Sequence, residues 1–247
     1  MHTVLITGCS SGYGLATARL FHARGWNVVA TMRTPRPDVL PPSERLRILP
    51  LDVTRPDSVT AAVEAAGPID VLVNNAGIGL FGAFEATPMA TVREVFETNT
   101  FGMMAMAQAV LPHMRARGAG LVVNVTSTVT LAPMPLVAAY AASKMAIDGF
   151  TESLALELAP LGIRAKLVVP GYGPGTRFTA NGAQRMQGLV PEAYAPLAQS
   201  AFAALGSLAA VTTDADVAEA AWRAANDPAA TLRYPAGADA VALFQQA

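Results

Sequence analysis

The sequence predicts a doubly wound α/β fold: a single domain in which a parallel sheet is covered by helices on both faces. Three observations carry this. Short β-branched runs alternate with longer stretches of helical composition, and the runs are apolar at nearly every position, as strands buried on both faces require. A glycine-rich turn also joins the first run to the first helical stretch, where such folds place their ligand-facing loop. The chain has 247 residues, enough for one α/β domain that buries roughly three quarters of its unfolded surface.

Residues 3–7 form the first predicted strand, and 28–31, 47–51, 71–74, 121–126 and 165–169 continue the series. Helical runs lie between them, notably 15–24, 100–117 and 138–158. This alternation implies right-handed βαβ units. Residues 35–42, rich in proline, read as a surface loop after the second strand. Hydrophobic residues make up 52% of the chain and charged ones 14%, which excludes disordered and fibrous classes.

Seventeen basic residues against eighteen acidic ones give a net charge of −1, so no global field attracts nucleic acid or an anionic membrane. The lone Cys9 cannot form an intramolecular disulfide, and nothing asks for an oxidising compartment. The apolar run before Gly8 is too short for a signal peptide. Two uncharged stretches, 118–143 and 193–213, are long enough to span a membrane, but Pro133, Pro135 and Pro196 interrupt them. A cytoplasmic protein without a nucleic-acid or membrane partner is expected.

The chemistry begins at Thr7-Gly8-Cys9-Ser10-Ser11-Gly12-Tyr13-Gly14, between the first strand and the first helix. Glycines there let the backbone approach a phosphate closely, and the helix N-terminus offers amides and a favourable dipole. The GxxxGxG spacing differs from the GxGxxG fingerprint, so the turn needs support elsewhere. Tyr140 and Lys144 supply some of it, since residues four apart on a helix are neighbours. Lowering a tyrosine pKa from near 10 by three units takes about 4 kcal/mol, and an adjacent ammonium has the right sign to provide it. Only two of the seventeen basic residues are lysines, Lys144 and Lys166, so retention of Lys144 points to a compact ammonium where a planar guanidinium would not fit. The plain alternative is a surface ion-bearing pair.

Together, Thr-Gly-xxx-Gly-x-Gly, Asn74-Asn75-Ala76-Gly77, Tyr140-xxx-Lys144 and Pro170-Gly171 resemble the classical short-chain dehydrogenase/reductase family over nearly the whole chain. The opening Thr-Gly-Cys-Ser-Ser-Gly is nearest to its estradiol-type hydroxysteroid dehydrogenase branch. The resemblance implies a nicotinamide dinucleotide cofactor and hydride transfer. It implies that Gly8, Ser10, Ser11, Gly12, Tyr13 and Gly14 face the phosphates, and that Asp52 and Val53 meet the adenine. Asn75, Ala76 and Gly77 are implied to line the adenine ribose side, with Asn74 fixing the sheet. Asp52 has an ordinary alternative as a turn or helix-capping residue.

At the position where the family carries an acidic residue for the ribose 2′-hydroxyl stands Met32, followed by Arg33. The missing carboxylate and a guanidinium able to bind phosphate favour NADP(H) over NAD(H). The competing reading of Arg33 is a solvated loop arginine. Pro170 and Gly171 are implied to lie near the nicotinamide, but the threonine that the family places soon after them is delayed here to Thr176 by Tyr172-Gly173-Pro174-Gly175. Tyr13 occupies a place where relatives carry a small aliphatic residue.

The implied catalytic set is Asn99, Ser127, Tyr140 and Lys144, with Tyr140 as proton donor. Lys144 would lower the pKa of Tyr140 and hold the ribose, Ser127 would hydrogen-bond the substrate oxygen, and Asn99 would complete a proton relay. Thr126 and Thr128 flank Ser127 and leave its assignment open by one residue, while Asn99 could instead cap a helix. His2, His22 and His113 show no metal-ligand spacing, so no metal is expected.

Substrate choice is expected in 172–205, a lid with Tyr172, Phe178, Met186, Leu189, Val190, Tyr194, Leu197 and Phe202 but only three charges, with Gly182 and Gly188 interrupting helix formation. Tyr172, Phe178 and Met186, beside Ser127 and Tyr140, are the expected substrate contacts. An apolar carbonyl or secondary alcohol follows. A homodimer or homotetramer is expected through 100–117 and 138–158. Alternative functions are a reductase of carrier-bound 3-ketoacyl chains and a non-catalytic dinucleotide-binding regulator.

Overall fold

The computed structural model describes residues 2–175 and 178–246, and the side chains of 178–181 lie outside that description. Seven strands form one parallel sheet: β1 (Thr3–Ile6), β2 (Asn27–Met32), β3 (Leu46–Pro50), β4 (Val71–Asn74), β5 (Gly120–Val125), β6 (Ile163–Pro170) and β7 (Arg233–Ala236). Their order is β3-β2-β1-β4-β5-β6-β7. The direction of sheet growth reverses between β1 and β4, and a crevice forms beyond their carboxyl ends because the connecting helices leave toward opposite faces.

The helices are α1 (Gly12–Ala23), α2 (Pro56–Ala66), α3 (Met89–Phe96), α4 (Gly102–Arg117), α5 (Ala138–Leu158), α6 (Phe178–Met186), α7 (Ala195–Gly206), α8 (Asp214–Asn226) and α9 (Ala238–Phe244). On one face, α1 and α8 bury Phe21, Ala220 and Ala224 against Val4, Ile6 and Val123. On the other, α2, α4 and α5 bury Val59, Met106 and Leu154 against Leu5, Leu72 and Val122. Alternate residues of one strand thus serve opposite cores, and this is why the strand sequences are apolar throughout.

All six expected strands are present, with ends displaced by a residue or two. The seventh has no clear sequence signal because it is short and contains Pro235. Proline lacks a donor, which is tolerated at the sheet edge where β7 lies. Residues 37–39 of the proline-rich stretch form a 3-10 turn that buries Val39. The expected interruption at Gly182 is corrected, since α6 runs through it. A Cβ at Gly182 would lie 2.5 Å from Met186 Cε and 3.5 Å from the Gly79 carbonyl, so its small size serves close packing. Gly188 follows the helix with φ +76°.

Asn74 fixes the sheet as expected: its Nδ2 donates to Asn124 Oδ1 (2.9 Å) on β5 and to the Met103 carbonyl (3.0 Å) on α4. Asn124 in turn donates to Thr151 Oγ1 (2.8 Å) on α5. Among the described residues, no helix is long and apolar enough to cross a membrane.

Candidate active site

A cavity of about 1180 Å³ opens beyond the carboxyl ends of the central strands. One end is the turn from β1 into α1. Gly8 (φ +75°) and Gly12 (φ +57°) adopt left-handed backbone, and a Cβ at Gly14 would lie 2.4 Å from the Gly8 carbonyl. Ser11, with extended backbone, makes no side-chain cap, and the first turn of α1 carries no acidic residue. The amides of Gly12, Tyr13 and Gly14 therefore begin a helix with no side-chain anion of its own.

Thr7, outside the expected set, pins this turn. Its Oγ1 accepts the N–H groups of Asn75 and Ala76, both at 2.9 Å. Asn75 lines the cavity, yet its Nδ2 donates to the carbonyls of Thr7 (2.9 Å) and Gly8 (3.3 Å). Its side chain thus braces the glycine turn, because β1 and β4 are neighbours.

Arg33 is exposed at the cavity wall and Met32 is buried beneath it. A second guanidinium, Arg36, donates to the Ser10 carbonyl at 3.0 Å and fastens the proline-rich loop to the glycine turn. Asp52 lines the same region with Val53 and Leu51, but its Oδ1 accepts Thr54 N (3.0 Å) and Thr54 Oγ1 (2.7 Å), so the ordinary turn-forming role holds for that oxygen. Ser10, Ser11, Tyr13, Ala76 and Gly77 line the cavity as well.

Ser127, Tyr140 and Lys144 meet at its floor. Ser127 follows β5 and caps a 3-10 turn through Val129 N (3.4 Å). Its hydroxyl hydrogen-bonds the Tyr140 phenol, whereas Thr126 Oγ1 faces the Val168 carbonyl (3.4 Å). Burial pushes the Tyr140 phenol up to about 12, and the Ser127 hydrogen bond pulls only weakly the other way. Lys144 is buried; its Nζ donates to the Val125 carbonyl (3.0 Å), and desolvation brings it down to about 8. The expected lowering of Tyr140 by Lys144 is not seen, because desolvation dominates both groups.

Asn99 lies just behind this floor, in a π-helical turn (Glu97–Phe101) that joins α3 to α4. It is not a cap. Its Oδ1 accepts Ile78 N (2.8 Å), and its Nδ2 donates to the Ile78 carbonyl (2.9 Å) and Ser143 Oγ (3.1 Å). A Cβ on Gly77 would lie 3.3 Å from Asn99 Oδ1 and 3.5 Å from Lys144 Nζ, so these three residues sit together. Widened turns of this kind recur at functional sites.

Pro170 and Gly171 close the far end of the cavity, joined by Thr212 and Asp239 from the C-terminal segment. Thr176 lies outside the described residues, as does the side chain of Phe178. Tyr172, Met186, Val190 and Phe202 line the cavity. Leu189 belongs to a separate buried cluster, Leu197 is exposed, and Tyr194 packs against the cluster around Ala83 and Leu136. Sequence reasoning missed the C-terminal wall of Leu208, Ala242, Leu243 and Gln246, because nothing local ties those residues to the site. At the rim, Arg185 of α6 forks onto Glu94 of α3, Nε to Oε2 at 3.0 Å and Nη2 to Oε1 at 2.5 Å.

Fold and site together define a doubly wound α/β protein with an anion-ready glycine turn and a Ser-Tyr-Lys floor. Residues 2–187 match the family model described as short chain dehydrogenase, and the chain belongs to the short-chain dehydrogenase/reductase family. It is 41% identical over 182 residues to a 3-ketodihydrosphingosine reductase of Bacteroides thetaiotaomicron, an alignment covering 72% of this chain and 66% of that protein. Over 183 residues it is 42% identical to 17-beta-hydroxysteroid dehydrogenase type 1 of Homo sapiens, covering 68% of this chain and 56% of that one. The chain thus spans just under two thirds of the first of these curated relatives and 56% of the second. Among solved structures, a short-chain dehydrogenase from Streptomyces avermitilis superposes with a TM-score of 0.83 at 32% identity, covering 99% of this chain and 91% of that one. The closed form of a serine dehydrogenase complexed with NADP+ gives 0.78 at 28%, covering 94% and 93%.

Proposed function

We propose that this chain is an NADP(H)-dependent oxidoreductase acting between a carbonyl and a secondary alcohol on an apolar substrate. The observation that carries the reading is the Ser127–Tyr140 hydrogen bond beside buried Lys144, in the same cavity as the glycine turn. The residues present fit a nicotinamide dinucleotide: Gly8 and Gly14 let the turn fold tightly against β4, since a Cβ there would stand 2.9 Å from Ala76 Cα and 2.4 Å from the Gly8 carbonyl, the left-handed Gly12 opens the helix toward the cavity, and Arg33 supplies positive charge where a 2′-phosphate would lie. When bound, that cofactor supplies or accepts the hydride. Tyr140 gives its proton to the reacting oxygen, with the phenol held protonated at neutral pH, and Ser127 steadies the same oxygen by hydrogen bonding. Lys144, mostly protonated below about 8, anchors the ribose hydroxyls, and Asn99 holds the Gly77–Ile78 backbone against α5.

The apolar reading rests on Phe81, Met134, Val190, Phe202 and Leu243 around the cavity, with the region 172–205 as a lid. A carrier-bound substrate would favour free cations at the rim, whereas Arg185 there is committed to Glu94. The test is absorbance at the reduced-cofactor band over a panel of apolar ketones, small aldehydes and charged keto acids, with NADPH and NADH in parallel. Turnover of apolar ketones with NADPH, lost by a factor of roughly 10²–10⁴ in Tyr140→Phe, is the expected result. Dinucleotide binding without turnover of any carbonyl would reject it in favour of a regulator.

A further inference from the structure

The loop after β6 is held by the other end of the chain. Tyr172 N donates to Asp239 Oδ2 at 2.7 Å, and Gly171 N donates to Thr212 Oγ1 at 2.9 Å. Thr212 Oγ1 lies 2.8 Å from both Asp239 Oδ1 and the Ala236 carbonyl; its single proton goes preferentially to the carboxylate, the stronger acceptor.

Two glycines exist to make room for this pair. Gly171 has no left-handed backbone, yet a Cβ there would stand 2.0 Å from Asp239 Oδ2. A Cβ at Gly237 would stand 2.2 Å from Thr212 Oγ1 and 2.8 Å from Asp239 Oδ1. The glycine of the Pro170-Gly171 motif is therefore required by a carboxylate rather than by a turn.

Asp239 also lines the cavity, beside Pro170, Gly171 and Tyr172. Among the described residues no ion pair includes it. Each carboxylate oxygen takes one donor within the protein and keeps a lone pair for another. The Tyr13 phenol also lines the cavity; burial is the main obstacle to its ionisation, and the nearby charges of Asp214, Asp239 and Asp216 add to it. An unneutralised carboxylate in a cleft favours a ligand that brings positive charge and N–H donors.

We propose that Asp239 is a binding residue that distinguishes oxidised from reduced nicotinamide. It accepts an N–H of the ring's carboxamide, and it lies on the side of the cavity where the ring brings the positive charge that only its oxidised form carries. This role rests on the reading of the cavity as a dinucleotide site.

The experiment is equilibrium titration of the full chain with NADP+, NADPH and the 3-acetylpyridine analogue of NADP+, in which a methyl ketone replaces the carboxamide. Asp239→Asn keeps an acceptor for Tyr172 N, and its amide can donate to Thr212 Oγ1 while that hydroxyl turns its proton to Ala236. The loop conformation is thereby conserved. The variant is expected to lose about tenfold in affinity for NADP+ and less than twofold for NADPH, as loss of a charge-assisted contact predicts. Wild type is expected to prefer the carboxamide over the acetyl compound by several-fold, and Asp239→Asn, whose amide oxygen still accepts the carboxamide N–H, to keep that preference while losing the discrimination between redox forms. Thr212→Val, which leaves the charge in place, should weaken both redox forms equally.

Equal losses for NADP+ and NADPH in Asp239→Asn would reduce the residue to a loop brace and overturn the proposal. Wild type indifferent to the acetyl replacement would overturn it without reference to any variant. A wild type that binds neither NADP+ nor NADPH would overturn the dinucleotide reading itself, and this inference with it.

Discussion

Lys144 shows how one residue's burial becomes a property of the whole protein. Its folded value of about 8 lies below its ordinary 10.5, so between these values the unfolded chain binds more protons and stability rises with pH. Below about 8 both states carry the charge, and the burial penalty is constant. Tyr140 acts in a separate window: its folded value of about 12 exceeds the ordinary 10, so stability falls as pH rises from 10 to 12. Lys144→Met should therefore gain most over wild type near pH 7, with the difference in melting temperature shrinking toward pH 10. Arg33→Ala is expected to weaken NADP(H) binding by about 10- to 100-fold while leaving NAD(H) nearly unchanged, measured by titration. The residues that were legible in the sequence, Ser127, Tyr140 and Lys144, are those whose chemistry is intrinsic to the side chain. Thr7, Arg36 and Asp239 were not, because each acts through a partner distant in sequence; Tyr172 and Asp239 are 67 positions apart.

At the scale of elements, the central strands were readable because burial on both faces leaves a continuous apolar run, while β7 depends on its neighbour β6 for its only ladder and carries a proline. The helix α5 was equally readable, its predicted and observed limits coinciding at Ala138–Leu158. The π-helical turn at Glu97–Phe101 was not, since its widened backbone is set by Asn99 and Thr100 reaching the Ile78 and Ser143 backbone. The segment α6 offers a test of what its glycine does. Gly182→Ala would press on the flexible end of Met186 and meet the Gly79 carbonyl at ordinary contact distance, so it should stiffen α6 by up to about 1 kcal/mol through helix propensity. Slower proteolytic cleavage within 172–205 is the expected outcome, and faster cleavage would show that the contact with Met186 matters more than propensity.

At the scale of the molecule, α5 presents Met145 and Leu156 on one outward face, 51% and 78% exposed, with Phe101 (53% exposed) on the adjoining turn. Such surface is expected to be covered by a second copy of the chain, giving a dimer or tetramer by light scattering. Met145→Glu combined with Leu156→Glu should yield a monomer of unchanged fold, and a wild type that is monomeric at every concentration would contradict this.

The fork of Arg185 on Glu94 spans the rim from α6 to α3, an electrostatic link between the two helices that is open to solvent. A closure fastened this way gives a bound ligand a residence time that dissolved ions can shorten, since the screening length falls from about 10 Å at 0.1 M to about 3 Å at 1 M. Where escape of product governs the steady rate, added salt should then raise turnover at saturating substrate while leaving the first, pre-steady-state cycle unchanged. Glu94→Gln should run at the high-salt rate from the outset and respond little to further salt; a burst amplitude and steady rate that are equally salt-sensitive in both proteins would place the slow step elsewhere.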